Sequence, residues 1–323
     1  MPDILYIVIP CYNEQEVLPE TSNRIAKKLC DLRDGGRIDR RSRVLLVDDG
    51  SRDNTWDIIT GLHTEQPDIF SGLKLSRNRG HQNALLAGLM TAKELAGVTI
   101  SMDADLQDDI DAVDRFIDEY QNGCDVVYGV RSARKTDTAF KRASAQGFYR
   151  FMSLLGVNVV YNHADYRLMS RRALEALAEH REVNLFLRGV VPLLGYKSAE
   201  VTYERGERFA GESKYPLKKM LAFAWDGITS FSVKPIRFVT LLGFLISFVC
   251  VLLTLYTIIT KFFGSTVPGW SSLMISIWML GGLQILSLGV IGEYVGKIYA
   301  EVKARPRFII ETLLDNGDDS PNA

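Results

Sequence analysis

The sequence predicts an α/β fold built on a mainly parallel sheet, followed by two hydrophobic helices in the last third of the chain. The first observation is that residues 4–130 alternate short β-rich segments with amphipathic segments, which is typical of a sheet covered by helices. The second is that the short segments are nearly continuous in Val, Ile and Leu, as strands buried on both faces are. The third is that long apolar runs replace this alternation towards the C-terminus.

Five segments have the length and β-branched content expected of strands. They are Leu5–Ile9, Val44–Val47, Gly72–Leu75, Val98–Met102 and Val126–Gly129. Polar residues follow each of them. Because ligands bind outside the carboxyl ends of the strands in open α/β sheets, the residues after each strand are the candidates for a functional site.

Composition and charge limit the class of protein. The 323 residues carry a formal net charge of −1, so no overall basic field favours a nucleic-acid partner. The four cysteines form no C-x-x-C pair, which argues against a zinc site and a disulfide framework. The first strand starts the chain without the basic segment of a signal peptide, so we expect a cytoplasmic N-terminal domain.

Two apolar runs are each longer than the roughly 20 residues that cross the hydrocarbon of a membrane. They extend from Phe238 to Thr260 and from Phe262 to Gly292, with basic residues before the first and after the second. By the positive-inside rule both flanks are cytoplasmic. The sequence therefore predicts a multi-pass protein of the cell inner (plasma) membrane, and the alternative is a buried helical hairpin.

These features predict four regions. Residues 1–214 form the cytoplasmic α/β domain, and residues 215–234 form an amphipathic helix that contacts membrane lipid. Residues 235–298 form the two-helix transmembrane hairpin, and residues 299–323 form a cytoplasmic tail. Two spans make a small membrane footprint, which is compatible with a homo-oligomer.

Carboxylates and turn residues follow the first two strands, at Pro10–Glu14 and Asp48–Thr55. A nucleoside needs acceptors for its ribose hydroxyls and base N–H groups, and Asp49 at a strand end could supply them. Turn formation is the alternative for Asp49, because Asp-Gly is a frequent turn sequence. For Asp53 and Asn54, turn formation and helix capping are the favoured interpretation.

The fourth strand ends in the acidic segment Met102–Asp109. A hard divalent cation that bridges two phosphates prefers one or two carboxylates together with phosphate oxygens and water. Alternation places Asp103 and Asp105 on the same side if the strand continues, and Gln107 adds a neutral oxygen. The segment therefore predicts a Mg²⁺ or Mn²⁺ site, while Asp108 and the residue after it are expected to cap the next helix.

Taken in order, these motifs resemble those of the family 2 glycosyltransferases of GT-A fold. The motifs are Val8–Glu14, Val47–Ser51, Asn78–His81 and Asp103–Gln107. Later segments resemble the bacterial polyprenyl-phosphate glycosyltransferases, which include bactoprenol glucosyltransferases, and more distantly dolichyl-phosphate mannose synthase. These segments are Asp165–Arg171, Glu207–Lys214 and Gly292–Gly296. The resemblance covers nearly the whole chain.

The resemblance implies a Rossmann-like catalytic domain that transfers a hexose from a nucleotide-diphosphate sugar, with UDP-sugar favoured, to undecaprenyl or another polyisoprenyl phosphate. Metal-assisted inverting displacement would make a lipid-linked sugar for cell-envelope glycan modification. The implied nucleotide-sugar-binding residues are Pro10, Tyr12, Glu14, Asp49, Asp103 and Lys214. The implied acceptor-phosphate-binding residues are Arg131, Lys141, Arg142, Arg208 and Ser213. The implied catalytic residues are Asp105, Asp165 and Arg208, and the implied metal ligands are Asp105, Gln107 and Asp103.

Two residues near this site have less direct roles. Asp165 is expected to position sugar hydroxyls or to orient Arg167, because a phosphate nucleophile with a second pKa of roughly 6 is largely ionised at neutral pH and needs no strong base. His81 begins a predicted helix and has no cysteine or second histidine nearby. The sequence therefore favours a structural role for His81.

Two other functions stay open at this point. A processive membrane polysaccharide synthase shares the catalytic domain, but such enzymes carry a Gln-x-x-Arg-Trp motif, and no tryptophan of this chain follows an arginine. A non-catalytic scaffold that binds nucleotide sugar or lipid would carry degenerate acidic motifs. Asp49, Asp103 and Asp105 are all present, which favours the enzyme.

Overall fold

The computed structural model describes residues 2–132, 163–182, 187–204 and 269–315, with a few single positions between 239 and 252. The chain divides into two compact units. The first unit comprises residues 1–145, 159–214 and 305–323, and the second comprises residues 146–158 and 215–304.

The first unit is an α/β structure, as the sequence predicts. Its described strands are β1 (Leu5–Cys11), β2 (Arg43–Asp48), β3 (Phe70–Leu75), β4 (Val98–Ser101), β5 (Val126–Arg131), β6 (His163–Ser170), β7 (Ser198–Tyr203) and β8 (Ile310–Leu314). Its described helices are α1 (Leu18–Asp34), α2 (Thr55–Glu65), α3 (His81–Leu95), α4 (Ala112–Gln121), α5 (Arg171–Ala178) and α6 (Leu187–Leu193). Each of the five predicted strands is confirmed within two residues of its expected bounds.

The strands form one sheet in the order β7-β5-β6-β4-β1-β2-β3-β8. The central strands β4, β1, β2 and β3 pair in parallel, and β7 pairs in parallel with β5. Only β6 and β8 run against their neighbours within this sheet. The carboxyl ends of six strands therefore meet at one edge of a mainly parallel sheet, as the GT-A expectation requires.

The sheet is buried on both faces at its centre, where every residue of β1 is buried. Helix α3 covers this region and approaches the strands closely at Gly88. A Cβ atom at Gly88 would overlap Val8 and would lie 2.7 Å from Cγ2 of Val47. This close approach packs α3 tightly against β1 and β2.

Strand β8 completes one side of the sheet, within the segment 299–323 that the sequence predicts to be a tail. It pairs antiparallel with β3, and ion pairs join Arg43 to Asp315 at 2.6 Å and Lys74 to Glu311 at 2.9 Å. No residue of this short strand is fully buried. Its strand character therefore comes from pairing with β3 rather than from a local pattern.

The second unit contains helix α7 (Trp270–Lys303), which has 34 residues and ends where Ala304 adopts a left-handed backbone with φ of 44°. Within the part of the chain that the structure describes, no helix combines the length and the apolar character that a membrane crossing requires. This finding contradicts the predicted multi-pass plasma-membrane protein with two transmembrane helices. The prediction counted the lengths of two charge-free runs, Phe238–Thr260 and Phe262–Gly292, whereas the described helix in the second run, α7, begins at Trp270.

Candidate active site

The candidate site lies at the sheet edge where the carboxyl ends of the parallel strands meet the start of β6. Ser101 pairs with Arg167 across β4 and β6, so Asp165 lies beyond the end of β4, beside the segment that carries Asp103. Arg131 ends the neighbouring strand β5. The structure thus brings together three of the residues predicted from the sequence.

His81 lies between two of these carboxylates. Its Nε2 atom is 3.6 Å from Oδ1 of Asp103 and 3.4 Å from Oδ2 of Asp165. Burial lowers the pKa of His81, but the hydrogen bond to Asp165 and the charges of both carboxylates outweigh it and raise that pKa. The sequence favours a structural role for His81, which begins α3 as expected, and the structure places its ring beside both carboxylates.

Asp165 is a buried carboxylate with several cationic partners. Arg167 donates from Nη2 to Oδ1 at 2.7 Å, and Arg188 donates from Nε and Nη2 at 3.1 and 2.9 Å. Burial raises the pKa of Asp165, but the His81 hydrogen bond and the two arginine charges hold it well below its usual range. A carboxylate held ionised in this way is a weak proton acceptor, so the geometry favours a positioning role.

Arg131 belongs to a second polar network. Its Nη2 atom is 3.2 Å from Oδ1 of Asp108 and 3.9 Å from Oδ2 of Asp103, and its Nε donates to the hydroxyl of Tyr203 at 3.2 Å. The Tyr203 hydroxyl also donates to Asp108. The expectation that Asp108 caps the next helix is therefore wrong, because its side chain is buried against Arg131 instead.

The predicted metal ligands occupy the turn after β4. Burial raises the pKa of Asp103 to about 6. The charge of His81 opposes this rise, and the carboxylates of Asp108, Asp165 and Asp105 add to it. Such a concentration of carboxylates suits a hard cation, because a divalent ion offsets their mutual repulsion. The residues present therefore fit a Mg²⁺ or Mn²⁺ ion.

The same turn is fixed by its backbone. Gln107 donates its amide N–H to Oδ1 of Asp105 at 3.2 Å, and Leu106 between them has a φ of 57°. Across the described ranges, no group of three or more His, Cys, Asp or Glu residues could hold a metal ion. A divalent ion at this turn would therefore take further oxygens from substrate and water.

The loops after β1 and β2 are tied together beside this turn. Asn13 donates its N–H to Oγ of Ser51 at 3.0 Å, and Glu14 donates its N–H to Oγ1 of Thr55 at 2.9 Å. Tyr12 is 38% exposed, so its ring is accessible, whereas Pro10 is buried within β1. Of the predicted nucleoside-binding residues, Tyr12 and Glu14 thus lie on a loop that is held by hydrogen bonds to the next one.

Asp49 is buried and already supports a neighbouring loop. Its Oδ1 accepts from the N–H of Arg79 at 2.7 Å and its Oδ2 from the N–H of Gly80 at 2.9 Å. Gly50 has a φ of 65°, and a Cβ atom there would lie 2.6 Å from the backbone N of Asn78. The carboxylate of Asp49 therefore sets the backbone that leads into α3, and its role towards a nucleoside stays a prediction.

Asp53 also makes the local contacts expected of a turn residue. Its Oδ1 accepts from the N–H of Thr55 at 3.1 Å, at the start of α2. Five predicted site residues lie outside the described residues, and their roles stay predictions. They are Lys141, Arg142, Arg208, Ser213 and Lys214.

Comparison with known proteins identifies the family. Residues 6–178 match glycosyl transferase family 2, and the uncharacterized glycosyltransferase YkoT of Bacillus subtilis (strain 168) is 54% identical over 98% of this chain and 94% of its own length. The SfII prophage-derived bactoprenol glucosyl transferase of Shigella flexneri is 37% identical over 94% of this chain and 96% of its own length. The prophage bactoprenol glucosyl transferase homolog of Escherichia coli (strain K12) is 36% identical over 95% and 98%. With a buried acidic cluster at the sheet edge and these relatives along its length, the chain belongs to glycosyl transferase family 2 and is a glycosyltransferase.

Proposed function

We propose that this enzyme transfers glucose or a similar hexose from a nucleotide-diphosphate sugar, with a UDP-sugar favoured, to undecaprenyl or another polyisoprenyl phosphate. The observation that carries the proposal is the cluster of Asp103, Asp165, His81 and Arg131 at the carboxyl edge of the sheet. The relatives named bactoprenol glucosyl transferases, similar along most of this chain, support a lipid phosphate as the acceptor. The product would be a lipid-linked sugar for cell-envelope glycan modification.

The cluster has the charges that this pair of substrates needs. A donor diphosphate and an acceptor phosphate repel each other, and arginine side chains can hold phosphate oxygens in bidentate fashion. Arg131 is partly exposed and only 3.9 Å from Asp103, so it can contact an anion while it remains part of the network. We propose that further acceptor contacts come from the residues outside the described ranges, Lys141, Arg142, Arg208 and Ser213, and that Lys214 contacts the nucleotide sugar.

The nucleoside would bind at the braced loops after β1 and β2. We propose that Pro10, Tyr12 and Glu14 form its surface, because Tyr12 is accessible and this loop is tied to the next one. Asp49 keeps further lone pairs on oxygens that each accept one backbone N–H group. It could therefore accept from a nucleoside as well as hold the loop at Arg79.

Asp103, Asp105 and Gln107 would hold the divalent ion. When bound, Mg²⁺ or Mn²⁺ supplies charge that stabilises the leaving diphosphate. The protein groups keep the carboxylates in place, because Gln107 fixes Asp105 through its N–H and His81 lies against Asp103. We assign the catalytic domain to residues 1–214.

The proposed reaction is a direct displacement at the anomeric carbon. An acceptor phosphate oxygen forms the new bond to that carbon as the bond to the donor diphosphate breaks. The nucleophile is already largely ionised at neutral pH, since the second pKa of a phosphate monoester is roughly 6, and Asp165 is held too acidic to act as a base. Asp165 therefore positions other groups, and a single displacement inverts the anomeric configuration.

The test uses the purified full-length chain with undecaprenyl phosphate, Mg²⁺ or Mn²⁺, and a panel of nucleotide sugars that includes UDP-glucose. Mass spectrometry identifies the lipid product, and the anomeric proton coupling of the isolated product gives its configuration. We expect a hexosyl lipid phosphate with inverted configuration. Failure of every donor to glycosylate the lipid refutes the acceptor class, and a retained configuration refutes the single displacement.

A further inference from the structure

Arg188 presents one edge of its guanidinium to Asp165. Its Nε and Nη2 atoms donate to the two carboxylate oxygens at 3.1 and 2.9 Å, which fixes the plane of the group. The Nη1 nitrogen, with two N–H donors, lies on the other edge of the fork. The side chain is 33% exposed, while that of Asp165 is 5% exposed, so Arg188 reaches from a buried anchor towards the surface of the site.

The charge of Arg188 is not required to neutralise Asp165. Arg167, with a side chain only 1% exposed, is already paired with that carboxylate at 2.7 Å. Arg188 also lies close enough to Asp103 and Arg131 for their charges to act on it. The guanidinium groups of Arg131 on β5 and of Arg188 on α6 therefore both lie near Asp103.

A second arginine–aspartate pair in the same unit shows what a purely structural arrangement looks like. Arg172 donates from Nε to Asp125 at 3.1 Å and also from Nη2. Its side chain is 64% exposed, and Asp125 precedes β5 at the end of that strand opposite to Arg131. The geometry of the fork is shared, but only the Arg188 pair lies among the groups of the candidate site.

We propose that Arg188 is a phosphate-binding residue of the active site and that Asp165 is the positioning residue that orients its guanidinium. The inference rests on the proposed function, because it requires phosphate-bearing substrates. The shared chemistry is a phosphate oxygen, which either the donor diphosphate or the acceptor phosphate could supply. Planar bidentate donors suit such oxygens better than a lysine ammonium does.

The test measures ligand affinity of the full-length chain by titration calorimetry with two probes in the presence of Mg²⁺. UDP-glucose represents the donor, and farnesyl phosphate represents the acceptor. Arg188→Gln should weaken the binding of at least one probe by about 10- to 150-fold, because hydrogen bonds between charged groups contribute about this factor to an affinity. Arg188→Lys should lose part of that affinity, and Arg172→Gln, the matched control, should change neither dissociation constant.

The outcomes separate the two sources and the two proposals. A loss confined to UDP-glucose assigns Arg188 to the donor, and a loss confined to farnesyl phosphate assigns it to the acceptor. Unchanged affinity for both probes in a variant that retains the wild-type circular dichroism spectrum overturns the inference while the proposed function stands. A wild-type chain that binds neither probe overturns both.

If Arg188→Gln fails to fold, the affinities of Arg188→Lys test the inference instead. A double-mutant cycle then tests the role of Asp165. In Arg188→Lys, the charge is kept and the fork is lost, so unchanged affinity for both probes also overturns the inference. In a double-mutant cycle with Asp165→Asn, the losses in affinity should be non-additive because one residue acts through the other. Additive losses would show that Asp165 does not orient Arg188.

Discussion

Asp165→Asn should destabilise the first unit strongly, because this substitution removes one charge that several cations share. Asparagine keeps the volume of the side chain, so the change isolates the electrostatic part. Arg167 is 1% exposed and would be left without its carboxylate, and breaking a buried pair in this way costs about 3–5 kcal/mol. Since Arg188 can still reach solvent, we expect the lower end, about 3 kcal/mol, which is a large part of the about 5–15 kcal/mol that stabilises a typical domain.

The assay is native-state hydrogen exchange of the amide groups of β1, a fully buried strand whose exchange reports the opening of the sheet. This readout follows the first unit alone, which matters in a chain of two units. Asp125→Asn is the matched control, and it should cost much less because its partner Arg172 remains solvated. A loss below about 0.5 kcal/mol in Asp165→Asn, the range of ordinary surface changes, would refute the reasoning.

Other contacts give three further predictions. Asp105→Asn should abolish sugar transfer in a radiolabel assay while the circular dichroism spectrum stays unchanged, and full activity would remove the metal role assigned to Asp105. Gly88→Leu should lower the free energy of unfolding in urea by roughly 1–3 kcal/mol through overpacking, because a Cβ atom at this position would overlap Val8. Gly61→Ala, the control in open space on α2, should raise this free energy by about 0.5–1 kcal/mol. Equal effects of the two substitutions would contradict the close packing of α3. Burial raises the pKa of Asp125, but the hydrogen bonds from Arg172 and Ser170 outweigh it and hold that pKa below its usual value. The contribution of Asp125 to stability is therefore complete above the unfolded pKa of about 3.9. It falls as the pH drops below that value. Asp125→Asn should therefore flatten the acid limb of the unfolding curve, and an unchanged limb would contradict the assignment.

The sequence predicts the central strands well because their apolar runs are continuous and end in polar residues. Strands buried on both faces leave a strong local pattern, and Leu5–Cys11 is the clearest example. Strand β8 leaves no such pattern, since it depends on pairing with β3 and on ion pairs to residues more than two hundred positions away. Long-range pairing of this kind has no local signature.

The second hydrophobic run shows how a count of apolar residues can mislead. The prediction of two transmembrane helices used the length of each charge-free run. The described helix α7 begins at Trp270, eight residues after the start of the second run. The length of a charge-free run therefore does not by itself fix where a helix begins.

A residue of the candidate site can be selected from the sequence when a local pattern marks it, and not when only a distant partner does. Asp103 and Asp105 could be selected from the sequence because both follow a buried strand. Arg188 could not, because its partner Asp165 is 23 positions away on another element. Asp49 was selected, yet the structure shows its oxygens accepting from backbone groups about thirty residues later.

The roles of Asp49 and Asp165 have one physical explanation in common. Each carboxylate lies at the sheet edge and fixes a basic residue of the candidate site. Asp49 accepts from the N–H of Gly80, which precedes His81. Asp165 accepts directly from the guanidinium of Arg188. The proposed reaction between two anions needs its cationic groups already in place, because reorganising them during the displacement would cost free energy at the moment of reaction. Buried acids that orient basic groups meet this need, and they account for acidic strand ends that neither contact a metal ion nor accept a proton.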